Sequence, residues 1–212
     1  MDRESIIARA KEHFSKLIEE QFERIEMMKK QENFIDYDKL DTLVIGIVGG
    51  DGIGPYITAQ AQRILEFLLQ DKAKQKNIEF KIIDGLTIEN RVKHNKAIPD
   101  DVLEQLKQCH VILKGPTTTP RAGDPWPNIE SANVAMRKEL DLFANVRPVK
   151  IPQEGINWTF FRENTEGAYA LGSKGIHVNE DLAIDFTVTT YEGSYRIIKA
   201  AFDYARKTGV NK

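Results

Sequence analysis

The stretch of residues 42–68 constrains the fold most, because its hydrophobic period changes across a glycine turn. Thr42 to Val48 is a continuous run of apolar and β-branched residues, which is typical of a strand buried on both faces of a parallel sheet. It ends at Gly-Gly-Asp-Gly-Ile-Gly-Pro, and apolar residues then recur with helical period as far as Leu68. Pro55 suits the first turn of that helix. The sequence therefore predicts a strand, a glycine turn and a helix, the opening unit of an α/β fold.

The glycine turn by itself is weak evidence for a phosphate site. Glycines permit positive φ and a close approach of the backbone, so a phosphate cradle is conceivable. However, the spacing is not G-x-G-x-x-G, and no P-loop Lys-Ser/Thr pair follows it. The spacing alone therefore assigns no ligand to this turn.

The next elements continue the α/β pattern and lead to a polar loop. We predict a strand over residues 78–83, a helix from about residue 99 to residue 108, and a strand over residues 111–113. The last strand runs into Lys114 and the loop Gly-Pro-Thr-Thr-Thr-Pro. Open α/β sheets place their ligand crevices at such strand ends. The loop is either a polar turn stiffened by two prolines or a binding loop, and Lys114, a cation beside three hydroxyl groups, makes the two interpretations about equal.

Residues 131–148 predict a short helix and then a strand, with several anion-binding groups. Ser131 is a favourable N-cap, and helix N-termini favour anions. Asn133 and Arg137 lie four residues apart on one helical face, and Arg147 follows on the next element. Together these groups would recognise a small polycarboxylate or a phosphate. Taken in isolation, the segment favours a plainer alternative, in which Ser131 is only a cap and both arginines are solvated.

The C-terminal part of the sequence contains a third arginine of interest and predicts a further strand and a further helix. A strand runs directly into Arg162, and Tyr169 follows seven residues later. Tyr169 is either a packing residue, which the sequence alone favours, or a phenol directed at a ligand. Residues 183–190 alternate apolar and polar side chains as a half-exposed strand does. Residues 195–205 then predict an amphipathic helix that ends in a glycine C-cap.

Residues 4–30 predict one long amphipathic helix, because apolar residues recur near helical spacing with charges of both signs between them. The interspersed acidic residues argue against a membrane-surface helix or a transit peptide. We expect this helix to pack against its own chain or a second subunit, and an oligomerisation arm is the functional alternative. The polar residues 30–41 predict a linker.

Composition narrows the class of protein. With 212 residues, of which 41% are apolar, the chain can bury a sizeable core in one domain or two. The net charge of -2 provides no general attraction to nucleic acid or anionic membrane, so we expect neither as a partner. The single Cys109 excludes an internal disulfide framework and fits a reducing compartment. Without a membrane-spanning run, a signal-peptide core or zinc-ligand spacing, the sequence predicts a cytoplasmic globular protein.

Five motifs occur in the order seen in the isocitrate/isopropylmalate dehydrogenases, and the sequence resembles that family from about residue 43 onward. The motifs are Gly50-Asp-Gly-Ile-Gly-Pro55, Lys114-Gly-Pro-Thr-Thr-Thr-Pro120, Ser131-Ala-Asn-Val-Ala-Met-Arg137, Leu142-Phe-Ala-Asn-Val-Arg-Pro148 and Arg162-Glu-Asn-Thr-Glu-Gly-Ala-Tyr169. Each motif alone is only moderately specific, but the five in sequence are very specific. The resemblance implies an α/β three-layer sandwich that is incomplete, because its C-terminal part is absent, with an N-terminal helical extension. It also implies three parts: residues 1–40 as helical extension and linker, 41–142 as the first part of the large α/β domain, and 143–212 as the first part of the small domain.

Within the family, the sequence looks most like isocitrate dehydrogenase, because Ser131 and Asn133 stand where isopropylmalate dehydrogenases present an apolar side chain. The resemblance implies oxidative decarboxylation of isocitrate to 2-oxoglutarate, with NAD or NADP as the hydride acceptor and Mg2+ or Mn2+ polarising the new carbonyl. The implied substrate pocket consists of Lys114, Thr119, Ser131, Asn133, Arg137, Arg147 and Arg162. Thr118 and Thr119 would also approach the nicotinamide, and Tyr169 would be the general acid that protonates the enolate.

Three departures from the family pattern affect these expectations. Tyr56 stands where a Glu usually follows the glycine turn, and the loop at residues 121–130 is longer than in the commonly described bacterial enzymes. The catalytic Lys, the metal-binding aspartates and the adenine-binding loop of the family come from segments that would follow Lys212. We therefore expect no metal ligand in this chain and no activity without a C-terminal part.

The resemblance implies a homodimer or a complementing C-terminal polypeptide as the partner. Two alternatives from other classes stay open. One is a non-catalytic tricarboxylate-binding or regulatory subunit that uses the arginine cluster. The other is an assembly module driven by the N-terminal helix, with a vestigial pocket.

Overall fold

The computed structural model describes residues 2–30, 35–73, 77–121, 123–172 and 174–209. The chain divides into two compact units, one formed by residues 1–32 and 141–212 and the other by residues 33–140. We call them the N/C unit and the central unit. The linker predicted at residues 30–41 includes residues 31–34, which lie outside the described residues. The N/C unit begins with helix α1, Arg3–Lys30, which confirms the long N-terminal helix.

The central unit is built on a parallel sheet. Strands β1 (Thr42–Val48), β2 (Asn77–Ile82) and β3 (Val111–Lys114) pair in the order β2-β1-β3. β1 is the central strand, with Ile47 opposite Ile82 on one side and Leu113 on the other. Its continuous apolar run is explained by this position, since a central parallel strand is covered on both faces. The α/β class with a parallel sheet is confirmed.

Four helices accompany this sheet in the described part of the central unit. They are α2 (Gly54–Ala73), α3 (Ile88–His94), α4 (Asp100–Lys107) and α5 (Ala132–Glu139), and a 3-10 turn spans Tyr37–Lys39. The buried core is apolar and draws on the sheet, the helices and the segments between them: Val48, Ile83, Leu86, Ile98, Val102, Leu106, Ala132, Ala135 and Met136. Helix α3 is absent from the sequence prediction. It has only seven residues, capped by Thr87 at one end and by the left-handed Asn95 at the other, which is too short for a clear hydrophobic period.

The N/C unit contains a β-hairpin packed on a helix. Strands β4 (Ala144–Ile151) and β5 (Ile156–Glu163) pair antiparallel across a tight turn at Pro152–Glu154. Helix α6, Tyr191–Thr208, lies against this hairpin, where the rings of Phe161 and Tyr204 have centroids 5.3 Å apart. α6 ends at Gly209, whose φ of 71° is the left-handed C-cap that the sequence predicts.

The strand predicted at residues 183–190 is wrong in most of its length. Only β7, Ala183–Ile184, is a strand, paired with β6, Ile176–His177, and an isolated bridge then joins Val188 to Gly167. Between them the chain is irregular, and the Asp185 carboxylate accepts a hydrogen bond from the Phe186 backbone N–H at 2.8 Å. Alternation of apolar and polar residues predicts a half-exposed strand, but it cannot show whether a partner strand runs alongside.

Candidate functional site

The threonine loop, residues 115–120, follows directly from β3 in the central unit. The Lys114 ammonium donates to the Gly115 carbonyl at 2.8 Å and to Thr117 Oγ1 at 3.1 Å. The Thr118 backbone is held on both sides: its N–H donates to Asp51 Oδ2 at 2.6 Å, and its carbonyl accepts from Arg91 Nη1 at 2.7 Å. The loop is therefore fixed by charged partners from elsewhere in the unit, which is more than an ordinary polar turn requires.

The glycine turn holds the threonine loop in place. The Asp51 carboxylate accepts from the N–H groups of Thr118 and of Ile88, the latter at 2.8 Å at the start of α3. The Asp51 N–H donates to the Pro116 carbonyl at 2.8 Å. Gly50 has a φ of 72°, and a Cβ there would lie 2.0 Å from that same carbonyl oxygen. Glycine is thus required because the two loops run in backbone contact.

Arg91 is a functional candidate that sequence reasoning misses. Its side chain is fully buried, at 0% exposure, and donates to the carbonyls of Ala97, Thr118 and Glu130 at 2.8, 2.7 and 2.8 Å. Burial lowers the pKa of Arg91, and the nearby Asp51 carboxylate opposes that shift. One guanidinium therefore ties the threonine loop to the segment that enters α5. An arginine in a short polar helix carries no sequence signal for this role.

The start of α5 brings two predicted residues into contact. Ser131 occupies the N-cap position, as the sequence predicts, but its side chain makes no capping hydrogen bond. Ser131 Oγ instead accepts from Thr119 Oγ1 at 3.3 Å, because the threonine loop reaches the helix start. Asn133 is exposed in the first turn, and Arg137 lies one turn later, partly buried. The threonine loop thus contacts the N-terminus of α5 through Thr119 and Ser131, within one unit.

Burial and charges of both signs set the electrostatic environment of Lys114. The pKa of Lys114 is lowered to about 8, chiefly by burial, while the Asp51 carboxylate opposes this shift and Arg91 and Arg137 contribute to it. The two arginines lower this pKa because like charges disfavour protonation of the ammonium. A bound anion would relieve the mutual repulsion of these cations. The region around Lys114 and Arg137 therefore fits a carboxylate better than a cation.

The remaining predicted residues lie in the N/C unit. Asn145 on β4 pairs opposite Arg162 on β5, and Arg147 lies two residues further along β4, so all three side chains share one face of the hairpin. Arg147 Nε donates to Asn145 Oδ1 at 2.9 Å. Arg162 Nη2 donates to Tyr169 Oη at 2.9 Å, and its guanidinium carbon lies 5.4 Å from the centroid of that ring. Arg162 and Tyr169 are thus in direct contact.

The segment between Arg162 and Tyr169, residues 163–168, is held by two carboxylates that sequence reasoning also misses. Glu163 accepts from the N–H groups of Thr165 and Glu166, at 2.8 and 2.5 Å, and from the Thr165 hydroxyl at 2.6 Å. Glu166 is only 6% exposed, and its carboxylate accepts from the backbone N–H and the hydroxyl of Thr190 at 3.0 and 2.5 Å. The motif therefore contains residues that shape the loop as well as those predicted to bind a ligand.

The predicted site residues divide between the two units. Lys114, Thr118, Thr119, Ser131, Asn133 and Arg137 belong to the central unit, and Arg147, Arg162 and Tyr169 belong to the N/C unit. Among the described residues, no group of three or more His, Cys, Asp or Glu side chains is placed to hold a metal ion. Within the same residues, no helix is both long and apolar enough to cross a membrane.

Comparison with known proteins decides the family. The family model described as isocitrate/isopropylmalate dehydrogenase matches residues 44–212. The chain belongs to the isocitrate/isopropylmalate dehydrogenase family. The match begins at β1 and leaves α1 outside it.

Several relatives are named for isocitrate or a close analogue. The chain is 31% identical over 194 residues to isocitrate dehydrogenase (NADP) of Staphylococcus epidermidis, covering 76% of this chain and 44% of the relative. It is 35% identical over 176 residues to isocitrate dehydrogenase (NAD) subunit 2, mitochondrial, of Schizosaccharomyces pombe, covering 79% and 42%. It is 33% identical over 183 residues to homoisocitrate dehydrogenase of Methanocaldococcus jannaschii, covering 78% and 49%. The chain thus spans less than half the length of these relatives.

Proposed function

We propose that this chain carries the isocitrate-binding residues of an NAD- or NADP-dependent isocitrate dehydrogenase, which oxidatively decarboxylates isocitrate to 2-oxoglutarate. The arrangement at the start of α5 carries the proposal. Ser131 and Asn133 present a hydroxyl and an amide at the helix N-terminus, where backbone N–H groups favour anions. Arg137 follows on the next turn, and Lys114 lies near enough for the Arg137 charge to affect its pKa. Uncharged donors together with two cations suit a ligand with several carboxylates.

Each group has a role that follows from its chemistry. Arg137 would grip one carboxylate by its planar fork, while Ser131 and Asn133 would donate to a second one. On the hairpin, Arg147 and Arg162 share a face, so both guanidinium groups can meet the same ligand. A tricarboxylate offers carboxylate acceptors to Ser131 and Asn133, whereas an alkyl group in place of one carboxylate would leave both of them unpaired.

Tyr169 is proposed as the acid that protonates the enolate after decarboxylation. Arg162 donates to the Tyr169 hydroxyl oxygen, so their bond uses a lone pair of that oxygen and not its O–H hydrogen. The hydrogen that a general acid transfers is therefore not consumed by the contact, and the guanidinium stabilises the phenolate that forms. Bound NAD or NADP would supply the hydride acceptor. Thr118, held through its backbone by Asp51 and Arg91, belongs to the loop proposed to face the nicotinamide.

Calorimetric titration of the 212-residue chain tests the binding proposal. We expect saturable binding of isocitrate, similar binding of homoisocitrate, and much weaker binding of 3-isopropylmalate. Arg137→Ala removes a charge-assisted pair and should weaken isocitrate binding by roughly tenfold to hundredfold. Lys138→Ala is the matched control, because Lys138 is the next position on α5 and its ammonium lies 3.4 Å from Glu130, so the affinity should change little. Equal affinity for isocitrate and 3-isopropylmalate would contradict the proposed selectivity.

A further inference from the structure

The carboxylate of Glu166 is buried in the N/C unit and has a cation as its partner. Arg24 Nη2 on α1 lies 2.9 Å from Glu166 Oε1, and the two side chains are 20% and 5% exposed. Glu166 lies between Arg162 and Tyr169 in the chain, and the Tyr169 N–H donates to its carbonyl at 3.3 Å. A residue of the N-terminal helix therefore contacts the segment that carries both proposed ligand-facing groups.

The surroundings of Glu166 show that this contact is built into the unit. The carboxylate lies against the first turn of α6, where a Cβ on Gly193 would come within 2.2 Å of its oxygen. Thr190 at the N-cap donates to the carboxylate through its backbone N–H and its hydroxyl. Next to Glu166, Gly167 pairs with Val188 through two backbone hydrogen bonds, at 2.8 and 3.2 Å. The glycine at position 193 thus leaves room for the Glu166 carboxylate, Thr190 donates hydrogen bonds to it, and Arg24 supplies the opposite charge.

Helix α1 is held so that Arg24 faces this position. The rings of Phe14 and Phe186 stack with centroids 5.2 Å apart, and Leu17 is only 3% exposed. Lys174 adds an exposed ion pair to Glu20 at 2.6 Å. Positions 14, 17 and 24 lie on one face of a helix, since their spacings of three and seven residues are close to whole turns. The packing of α1 therefore fixes where Arg24 points.

We propose that Arg24 is a positioning residue, which neutralises Glu166 and thereby holds the loop that places Arg162 and Tyr169 for the ligand. A buried carboxylate that loses its cation either protonates or draws water in, and both outcomes loosen its other hydrogen bonds. The role at the ligand rests on the proposed function. It makes α1, which lies outside the matched residues 44–212, part of the binding machinery.

The test uses three variants of the full chain and two measurements. Arg24→Ala removes the cation, Arg24→Lys keeps the charge, and Glu20→Gln removes the exposed ion pair between α1 and Lys174 as a matched control. The first measurement is hydrogen exchange of the Gly167 and Thr190 amides by NMR. The second is isocitrate affinity by calorimetry. We expect Arg24→Ala to accelerate exchange of both amides and to weaken isocitrate binding, each by about tenfold or more. Arg24→Lys should show only a small part of either effect, and Glu20→Gln should show neither effect.

The outcomes separate this inference from the proposed function. Unchanged exchange at both amides in Arg24→Ala would overturn the inference, whether or not the chain binds isocitrate. Faster exchange with unchanged isocitrate affinity would overturn the positioning role, because the loop would then move without consequence for the ligand. No isocitrate binding by the wild-type chain would overturn the proposed function, while faster exchange in Arg24→Ala would still support Arg24 as the residue that holds the loop.

Discussion

Replacing Arg91 by Met tests whether one buried guanidinium organises the central unit. The guanidinium uses three different nitrogen atoms, Nε, Nη1 and Nη2, to reach the carbonyls of Ala97, Thr118 and Glu130. Methionine fills a similar volume but donates no hydrogen bond. Three carbonyl groups would then lose their donor together, and the threonine loop would lose its link to the segment that enters α5.

The expected destabilisation follows from those three acceptors. The three hydrogen bonds are part-buried, so each carbonyl that loses its donor should cost about 0.5–1.5 kcal/mol, and the three together about 1.5–4.5 kcal/mol. A small domain has only about 5–15 kcal/mol of stability, so Arg91→Met should remove a substantial fraction of it. Arg91→Lys keeps the charge, but a single ammonium cannot follow three separate nitrogen positions. We expect it to lose two of the three bonds, at a cost of about 1–3 kcal/mol.

Urea unfolding followed by circular dichroism measures these costs. The matched control is Arg63→Met on α2, an exposed arginine that donates to Gln60 at 2.7 Å, for which we expect a change within about 0.5 kcal/mol. If Arg91→Met costs less than about 1 kcal/mol, water replaces the guanidinium at no penalty, and the clamp described for Arg91 is refuted.

Three further predictions concern the same loops. Gly193→Ala should destabilise the N/C unit by about 1–3 kcal/mol in urea unfolding, because its Cβ would lie 2.2 Å from the Glu166 carboxylate; an unchanged midpoint would contradict that geometry. Isocitrate affinity should fall as pH rises through about 8. In the free chain the pKa of Lys114 is lowered to about 8, whereas a bound carboxylate raises that pKa, so above this pH the complex holds a proton on Lys114 that the free chain has lost. Calorimetry at pH 7 and pH 9 should show the fall in the wild type and none in Lys114→Met, and equal affinities in the wild type would refute it. Asp51→Asn replaces one carboxylate oxygen by an NH2 group, so the side chain can no longer accept from both the Thr118 and the Ile88 N–H groups. We expect a loss of about 1–3 kcal/mol in the free energy of unfolding, measured by thermal or urea unfolding. No loss would show that the Thr118 N–H finds another acceptor.

The sheet and the loops that follow its strands were predictable because their signals are local. The residues of β1 alone predict a buried strand, and the glycines after it predict a turn. Arg162 and Tyr169 were predictable as a pair from a motif, although their direct hydrogen bond was not. Prediction from sequence fails where contacts with residues distant in the chain decide the structure. Residues 183–190 alternate correctly for a strand, but only the first two found a partner strand.

The residues that hold the loops were not predictable for the same reason. Arg91 and Glu166 are charged, and charged side chains are normally exposed. Their burial depends on donors and acceptors that lie far away in sequence: Thr118 and Glu130 for Arg91, and Arg24 for Glu166. A pattern read along the chain gives no sign of these partners.

The most direct test of isocitrate binding is an NMR titration of the isotopically labelled chain with isocitrate. We predict that saturable shifts of backbone amides concentrate in residues 114–119 and 131–137, where the threonine loop meets α5, and that Arg162 and Tyr169 also shift. Asn133→Ala should reduce the affinity obtained from the same shifts. Shifts that do not saturate, or that spread over the exposed lysines and arginines of α1 without these segments, would contradict isocitrate binding at the start of α5.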